Sequence, residues 1–366
     1  MNILHVSTAL TWRGGEQQIA YLIEELERKK NVHQWVLCAK HSEMNRYCIK
    51  KNITHFALKK VFSFNLYFSY QLKKICQKHT IDIVHLHDAH AHNFAILAAD
   101  IFRNKTKCIL SRRVDFPIRN NWYSHYKYKH SCIKKIVCVS QAIEKIVAKT
   151  IGKTEKLTHI YSGIDVTKFN KKRNINTLKT TFQIPEHHIL IGNVAALAEH
   201  KDYFTFIDTA KILLEKGISA TFLMIGEGSE RLALTQYIQE KSISKRVIMT
   251  GFRNDIVEIL PELDVFLFTS KTEGLGTSVI DALSAGVSIV TTDAGGITEI
   301  VAHEKTALIA NVGNSEQLAI HVFRLLKDKN LQKEMVKNGK KRAIFFAKEN
   351  MAQQNLEIYK SCILNN

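Results

Sequence analysis

Glu273 and Asp281 stand on either side of the run Gly274-Leu275-Gly276-Thr277-Ser278. An apolar stretch precedes the run and a helical pattern follows it. Glycine at 274 and 276 lets backbone approach a ligand closely. Thr277 and Ser278 suit the first turn of a helix, where free N–H groups form an anion site. Amides for phosphate with a carboxylate before and after them suit a sugar nucleotide. The inner carboxylate, Asp281, can accept hydrogen bonds from ribose hydroxyls, and the outer one, Glu273, can hold sugar hydroxyls. The same residues also fit a plain glycine turn with a capping glutamate. A second group, His85, His87, His90 and His92, follows the apolar run Ile81–Leu86. Four imidazoles invite a zinc reading; a strand end with polar residues is the blander one, and no metal ligand is assigned.

These residues need strands and helices to position them. Short β-branched runs alternate with helical patterns from the start of the chain. Strands are predicted at Ile3–Ser7, Trp35–Cys38, Ile81–Leu86, Cys108–Ser111, Ile136–Val139 and Leu157–Ile160, with helices between them, as at Phe94–Phe102 and Ala142–Lys149. The series pauses after Gly163-Ile164-Asp165 in a polar stretch, then restarts at Ile189–Val194 and runs on through Thr221–Ile225, Val247–Thr250, Val265–Thr269 and Ser288–Thr292. Alternation of this kind implies parallel sheets covered on both faces. The expected organisation is an N-terminal domain over 1–165, a linker over 166–185, a C-terminal domain over 186–345, and a terminal helix over 346–366 that packs back on the first domain. Ligands in open α/β sheets bind beyond the carboxyl ends of the strands, so function belongs in the loops that follow them.

The 366 residues carry 52 Lys+Arg and 34 Asp+Glu, a net charge of +18. Residues 1–165 hold 27 basic and 12 acidic side chains, so nearly all of the excess lies there. A basic half faces something acidic: an anionic membrane, a phosphorylated substrate or nucleic acid. Two segments of that half mix aromatic rings with lysines, Phe62–Tyr70 and Trp122–Lys129. They suit a lipid headgroup zone or an aromatic core face beside a solvated basic one. No nucleic-acid module is visible, and no nucleic-acid partner is expected. No apolar stretch reaches the roughly 18–20 residues that span a bilayer. The N-terminus reads as a strand rather than a signal peptide, and seven scattered cysteines without a Cys-x-x-Cys pair fit reduced thiols. The expected location is cytoplasmic.

The segment 270–281, with Asp293–Ile300 after the next strand, resembles the donor site of family 4 glycosyltransferases of the GT-B fold. That fold consists of two Rossmann-like doubly wound domains facing across a cleft. The family carries two acidic residues separated by seven, usually both Glu; here the second is Asp281. Gly14-Gly15-Glu16 resembles its N-terminal glycine loop. Val139-Ser140 and Tyr161–Asp165 resemble segments before the interdomain crossing, and Gly251-Phe252-Arg253 resembles the loop bordering the nucleobase. Ala196–Lys201 resembles the segment that grips phosphate. The resemblance thus extends over most of the chain.

It implies a retaining glycosyltransferase whose first domain binds the acceptor and whose second binds the nucleotide sugar. Lys201 would neutralise the donor's diphosphate. The family's arginine just before Leu197 is replaced by Ala196, so half of the usual basic clamp is missing. The family's histidine near the transferred sugar is replaced by Arg113, which stays protonated and cannot act as a base. Arg113 would pair with a phosphate, an acidic acceptor or Asp115. His87 and Asp88 would border the acceptor and steer or deprotonate its hydroxyl. Gly14, Gly15, Phe252, Arg253 and the 274–278 loop would contact the donor. No Asp-x-Asp motif is present, so a metal-independent reaction is expected, with no cofactor and a UDP-sugar favoured over a GDP-sugar. The expected acceptor is a cell-envelope glycan or glycolipid such as lipopolysaccharide core, reached at the cytoplasmic face of the inner membrane. The alternatives are a nucleotide-sugar epimerase or a sugar phosphorylase on a related fold, and a non-catalytic nucleotide-sugar-binding protein.

Overall fold

The computed structural model describes residues 1–60, 64–169 and 176–364. Phe62 and Ser63 of the first aromatic segment, and 170–175 of the expected linker, lie outside the described residues. The chain alternates strands and helices almost throughout. Its first part runs β1 (Asn2–Ser7), α1 (Gly14–Glu27), β2 (His33–Ala39), α2 (Glu43–Lys50), β3 (His55–Leu58), α3 (Leu66–Lys78), β4 (Ile83–Leu86), α4 (Ala89–Asp100), β5 (Lys107–Arg112), α5 (Trp122–Lys129), β6 (Ile133–Cys138), α6 (Gln141–Ile151) and β7 (Leu157–His159). The second part runs α7 (Thr177–Thr181), β8 (Ile189–Val194), α8 (Tyr203–Glu215), β9 (Ala220–Ile225), α9 (Arg231–Glu240), β10 (Val247–Gly251), α10 (Ile256–Ile259), β11 (Val265–Phe268), α11 (Thr277–Ala285), β12 (Ser288–Thr292), α12 (Ile297–Ile300), β13 (Leu308–Ala310), α13 (Ser315–Lys327) and α14 (Lys329–Phe345). Helix α15 (Lys348–Leu364) follows.

The chain divides into two compact units, one of Met1–Gly163 with Lys348–Asn366, the other of Ile164–Ala347. The first is built on a seven-stranded sheet of order β3-β2-β1-β4-β5-β6-β7, the second on a six-stranded sheet of order β10-β9-β8-β11-β12-β13. The strand pairings are parallel in both sheets. The strands that read as continuous apolar runs, such as Ala220–Ile225 and Val265–Phe268, are buried along their whole length. A parallel sheet with helices on both faces requires that pattern.

Helix starts are fixed locally. Ser42, Asn65, Asp88, Asn121 and Ser140 each accept a first-turn backbone N–H. An N-cap of this kind stabilises by about 1 kcal/mol. Helix α15 belongs to the first unit because Met351, Ala352, Leu356 and Tyr359 pack with Ile3, Ile83, Ile109 and Val137, one residue from each of four strands. Lys107 Nζ also donates to the Cys362 carbonyl at 2.8 Å.

Both sheets reverse winding direction at one place, between β1 and β4 in the first and between β8 and β11 in the second. Loops leaving the carboxyl ends of such a pair diverge and open a crevice. Residues 8–13 and 87–88 leave one such pair, and residues 195–201 and 269–276 leave the other.

Candidate functional site

In the second unit the loop after β8 and the loop after β11 are bound to each other. Thr269 Oγ1 donates to the Asp202 carbonyl at 3.0 Å, and the Lys271 N–H donates to the His200 carbonyl at 2.8 Å. Lys201 closes a short 3-10 turn, Glu199–Lys201. It reaches across to form an ion pair with Glu273 Oε1. Ser270 Oγ donates to the same carboxylate oxygen at 2.8 Å, and Lys201 Nζ lies 5.6 Å from the centre of the Phe268 ring. The side chains are only 16 % and 8 % exposed, so Lys201 is no solvated surface lysine.

The Glu273 loop rests on glycine. Gly295 has φ +51°, and a Cβ there would stand 2.3 Å from the Glu273 carbonyl oxygen; at Gly296 it would stand 2.4 Å from that of Gly274. The Gly296 N–H donates to the Glu273 carbonyl at 3.0 Å. Gly276, at φ +89°, opens α11, which no side chain caps. The first-turn amides of Thr277 and Ser278 thus have no side-chain cap, the condition under which a helix start can bind an anion. Leu275 is buried beneath them.

Asp281 lies one turn into α11 and pairs with Lys168 Nζ at 2.7 Å. Burial raises its pKa, and the Lys168 ammonium pulls it back down. Lys168 falls in the polar stretch read as a linker, and nothing in the sequence marks it. Gly226 and Gly228 are a second omission. They follow β9, and a Cβ at either would strike the carbonyl oxygen of Ala195 or Leu197 at 2.0 or 2.2 Å, so they seat the loop that leads to Lys201. A Gly-x-Gly directly after a strand was the available signal. Phe252 is 76 % exposed, and Arg253 grips Asp255 through two hydrogen bonds, the Nε one at 2.8 Å. That pair lowers the Asp255 pKa.

In the first unit a polar chain runs under the carboxyl ends of β1 and β4. Arg113 Nη2 lies 3.1 Å from His87 Nδ1, His87 Nε2 3.1 Å from His5 Nδ1, and His5 Nε2 3.1 Å from Gln34 Oε1. Arginine only donates, so Nδ1 of His87 accepts and every proton in the chain points from Arg113 towards Gln34. Burial drives the His87 pKa far below the ordinary value, with the nearby His85 and Arg113 adding to it. Burial, partly offset by the bond to Gln34 and aided by Arg113, brings His5 down to about 4. His85 meets the Tyr359 and Ser111 hydroxyls at 2.5 and 2.8 Å.

The histidines after β4 are therefore not a solvated strand end. His5, His85 and His87 bring ring nitrogens within 4.8 Å of one another. The set does not fit a metal, because His87 Nε2 must keep its proton while Arg113 occupies Nδ1, and a cation would sit beside that guanidinium. Nor is His87 placed as a base, since both ring nitrogens are engaged. Asp88 is a helix cap: its oxygens accept the Thr8 N–H and hydroxyl and the His90 and Ala91 N–H groups, the last two at 2.9 Å. His92 lies apart, bonded to the Lys127 carbonyl at 3.0 Å.

Arg113 runs past Gly15, at 4.0 Å from where a Cβ would be. Gly14 and Gly15 form the first residues of α1 rather than a loop. Burial lowers the Arg113 pKa to about 10, against the fields of Glu16, Tyr359 and Asp88. The aromatic segments are split. Phe68 and Tyr128 are core residues, whereas Phe64, Tyr67, Trp122 and Tyr126 are exposed, Trp122 by 78 %. Among the described residues no helix is long and apolar enough to cross a membrane.

Comparison with known proteins identifies the family. The family model "Glycosyltransferase Family 4" matches residues 12–168, and "Glycosyl transferases group 1" matches 174–342. N-acetyl-alpha-D-glucosaminyl L-malate synthase of Bacillus anthracis is 23 % identical over 297 residues, 80 % of this chain and 77 % of that protein. UDP-Gal:alpha-D-GlcNAc-diphosphoundecaprenol alpha-1,3-galactosyltransferase of Escherichia coli is 23 % identical over 275 residues, 71 % of this chain and 70 % of that one. Anabaena HepE, solved in complex with UDP-glucose, superposes with a TM-score of 0.87 at 19 % identity, covering 99 % of this chain and 100 % of its own. The two sheets are the two Rossmann-like domains of the GT-B fold, and the chain belongs to the group 1, family 4 glycosyltransferases.

Proposed function

We propose that this glycosyltransferase moves a sugar from a UDP-sugar to a cell-envelope glycan or glycolipid, with retention of anomeric configuration and without a metal. The observation that carries the reading is the Lys201–Glu273 pair beside the uncapped amino end of α11. A cation, two amides and a carboxylate there match the diphosphate and sugar of a bound donor. Lys201 takes the charge that develops on the leaving diphosphate. Glu273, exchanging part of its bond to Lys201, accepts sugar hydroxyls. Asp281, paired with Lys168, accepts ribose hydroxyls, and Phe252 and Arg253 border the base. The preference for UDP draws on the UDP-glucose bound to HepE. The diphosphate itself takes the acceptor's proton, so no protein base is needed.

The first unit receives the acceptor. Arg113, held by His87 beside Gly15, supplies a positive charge for an anionic group of that acceptor. The lipid-linked acceptor named for the Escherichia coli relative supports a membrane-borne one. The exposed Phe64, Tyr67 and Trp122, with Lys73, Lys74 and Lys129 nearby in sequence, then rest on an anionic leaflet at the cytoplasmic face of the inner membrane. Incubating the purified chain with a panel of UDP- and GDP-sugars and envelope lipid extracts tests the reading. The expected result is a glycosylated lipid by mass spectrometry with a UDP-sugar, unaffected by a chelator. UDP-sugar conversion without any acceptor would instead mark an epimerase. Binding to anionic vesicles should weaken with salt; no binding at any salt would remove the membrane contact alone.

A further inference from the structure

The amino-terminal edge of the first sheet, opposite the edge bearing His87, holds a second reactive arrangement. Cys132 stands just before β6, and His130 Nδ1 lies 3.0 Å from its sulfur. The other ring nitrogen, Nε2, lies 3.0 Å from Asp100 Oδ1. Tyr126 Oη donates to both Asp100 oxygens at 2.9 Å. A carboxylate at Nε2 fixes the proton there, and the Cys132 N–H donates to Nδ1 at 3.1 Å. The single Nδ1 lone pair is shared between that N–H and the thiol; it takes the thiol proton by giving up the N–H, with Asp100 stabilising the imidazolium. On the neighbouring strand the Cys108 N–H donates to the Cys132 carbonyl at 2.8 Å, and the Cys108 thiol, which donates to the Thr106 carbonyl at 3.5 Å, acts electrostatically on the Cys132 sulfur. The remaining charges nearby are Lys156, whose Nζ lies 3.0 Å from the His130 carbonyl, and Lys134 beside Cys108.

Exposure and ionisation agree with this geometry. Cys132 is partly exposed, and the other six cysteines are buried. The neighbouring Cys108 thiol lowers the Cys132 pKa to about 7 against the effect of burial, with help from His130 and opposition from Asp100. Cys108 is raised well above its ordinary value and remains a thiol. An accessible thiolate beside a buried thiol is the arrangement of a redox-active pair.

We propose that Cys132 is a peroxide-reactive thiol and Cys108 its resolving partner. The Cys132 thiolate attacks a peroxide oxygen and the O–O bond breaks. The departing hydroxide or alkoxide takes the proton held on His130 and leaves as water or alcohol, giving Cys132 sulfenic acid. The Cys108 sulfur then attacks the Cys132 sulfur; an S–S bond forms, the S–O bond breaks, and hydroxide leaves with the Cys108 proton as water. The purified full chain, treated with stoichiometric hydrogen peroxide at neutral pH, alkylated and mapped by peptide mass, reports the outcome without any variant. The expected product is a Cys108–Cys132 disulfide ahead of any other cysteine oxidation. In Cys108→Ala, dimedone should trap a sulfenic acid at Cys132. His130→Gln should slow iodoacetamide labelling of Cys132 by about tenfold. Oxidation spread over other cysteines, or labelling of Cys132 no faster than a free peptide thiol and unchanged in His130→Gln, would overturn the proposal. A Cys132 sulfenic acid that persists with Cys108 intact would overturn the resolving step.

Discussion

Lys201 and Glu273, 72 residues apart in sequence, share a part-buried ion pair that links the loop after β8 to the loop after β11. Each residue holds the other where a donor needs it. Lys201 is kept from swinging into solvent, and Glu273 is anchored additionally by Ser270. A pair already formed costs little reorganisation when negative charge appears on a leaving diphosphate.

The loop bearing Glu273 depends on backbone packing too tight for any side chain. Gly296→Ala would place a methyl 2.4 Å from the Gly274 carbonyl oxygen and 3.0 Å from Leu275 Cα. Both neighbours are backbone, so the loop must move. Displacing reactive groups by an ångström costs on the order of 10²-fold in rate. The variant should therefore fold, shown by an unchanged circular dichroism spectrum, while transfer falls by about 10–100-fold. Full activity would contradict the tight seat.

Asp281 and Lys168 should act on donor binding rather than on the chemical step. Asp281→Asn keeps the shape, loses the anion and should raise the donor KM by about tenfold with kcat little changed. Lys168→Ala removes the cation that offsets the burial of Asp281. The carboxyl then protonates at a higher pH, so the rise of KM towards acid should begin at higher pH than in the wild type. Superimposable KM–pH profiles would contradict the pairing.

Stability should fall in mild acid. His5, His85, His87 and His92 all have folded pKa values below the ordinary histidine value, mainly through burial, His5 at about 4 and His92 at about 3. The unfolded chain binds these protons first, so their contribution is complete above about pH 6.5 and is lost as pH falls below it. Unfolding near pH 5 should take up nearly all four protons of this set, a slope of roughly 5 kcal/mol per pH unit. Urea titrations at pH 7, 6 and 5 measure it; a flat profile between 6.5 and 5 would contradict buried neutral imidazoles.

Much of the fold was legible because parallel strands buried on both faces read as apolar runs. The strands at Ile189–Val194 and Thr221–Ile225 were placed within a residue of their observed ends. The edge strands β3 and β13 were not singled out. They are four and three residues long, and β7, equally short, was found only because Ile160 extended its apolar run. Aromatic side chains concealed α3 and α5: their Phe68 and Tyr128 are core, while neighbouring rings face out. Among the candidate site residues, Glu273 and Gly274–Ser278 could be read as one group because they lie in one continuous loop. Lys168 and the His5–His87 chain were not, because partners brought together by sheet order leave no spacing to read. Asp88 misled for a related reason. An N-cap and a catalytic carboxylate occupy the same place after a strand, and only the four hydrogen bonds it accepts distinguish them.

Steady-state transfer from a UDP-sugar by Lys201→Ala, Glu273→Gln and the double variant tests the central claim most directly. Each single change should lower kcat by about 10²–10³-fold. The double should lose far less than the product of the two, since either change alone already breaks the pair. Melting temperatures taken alongside separate this loss from unfolding. Folded single variants that transfer sugar at the wild-type rate would contradict the account.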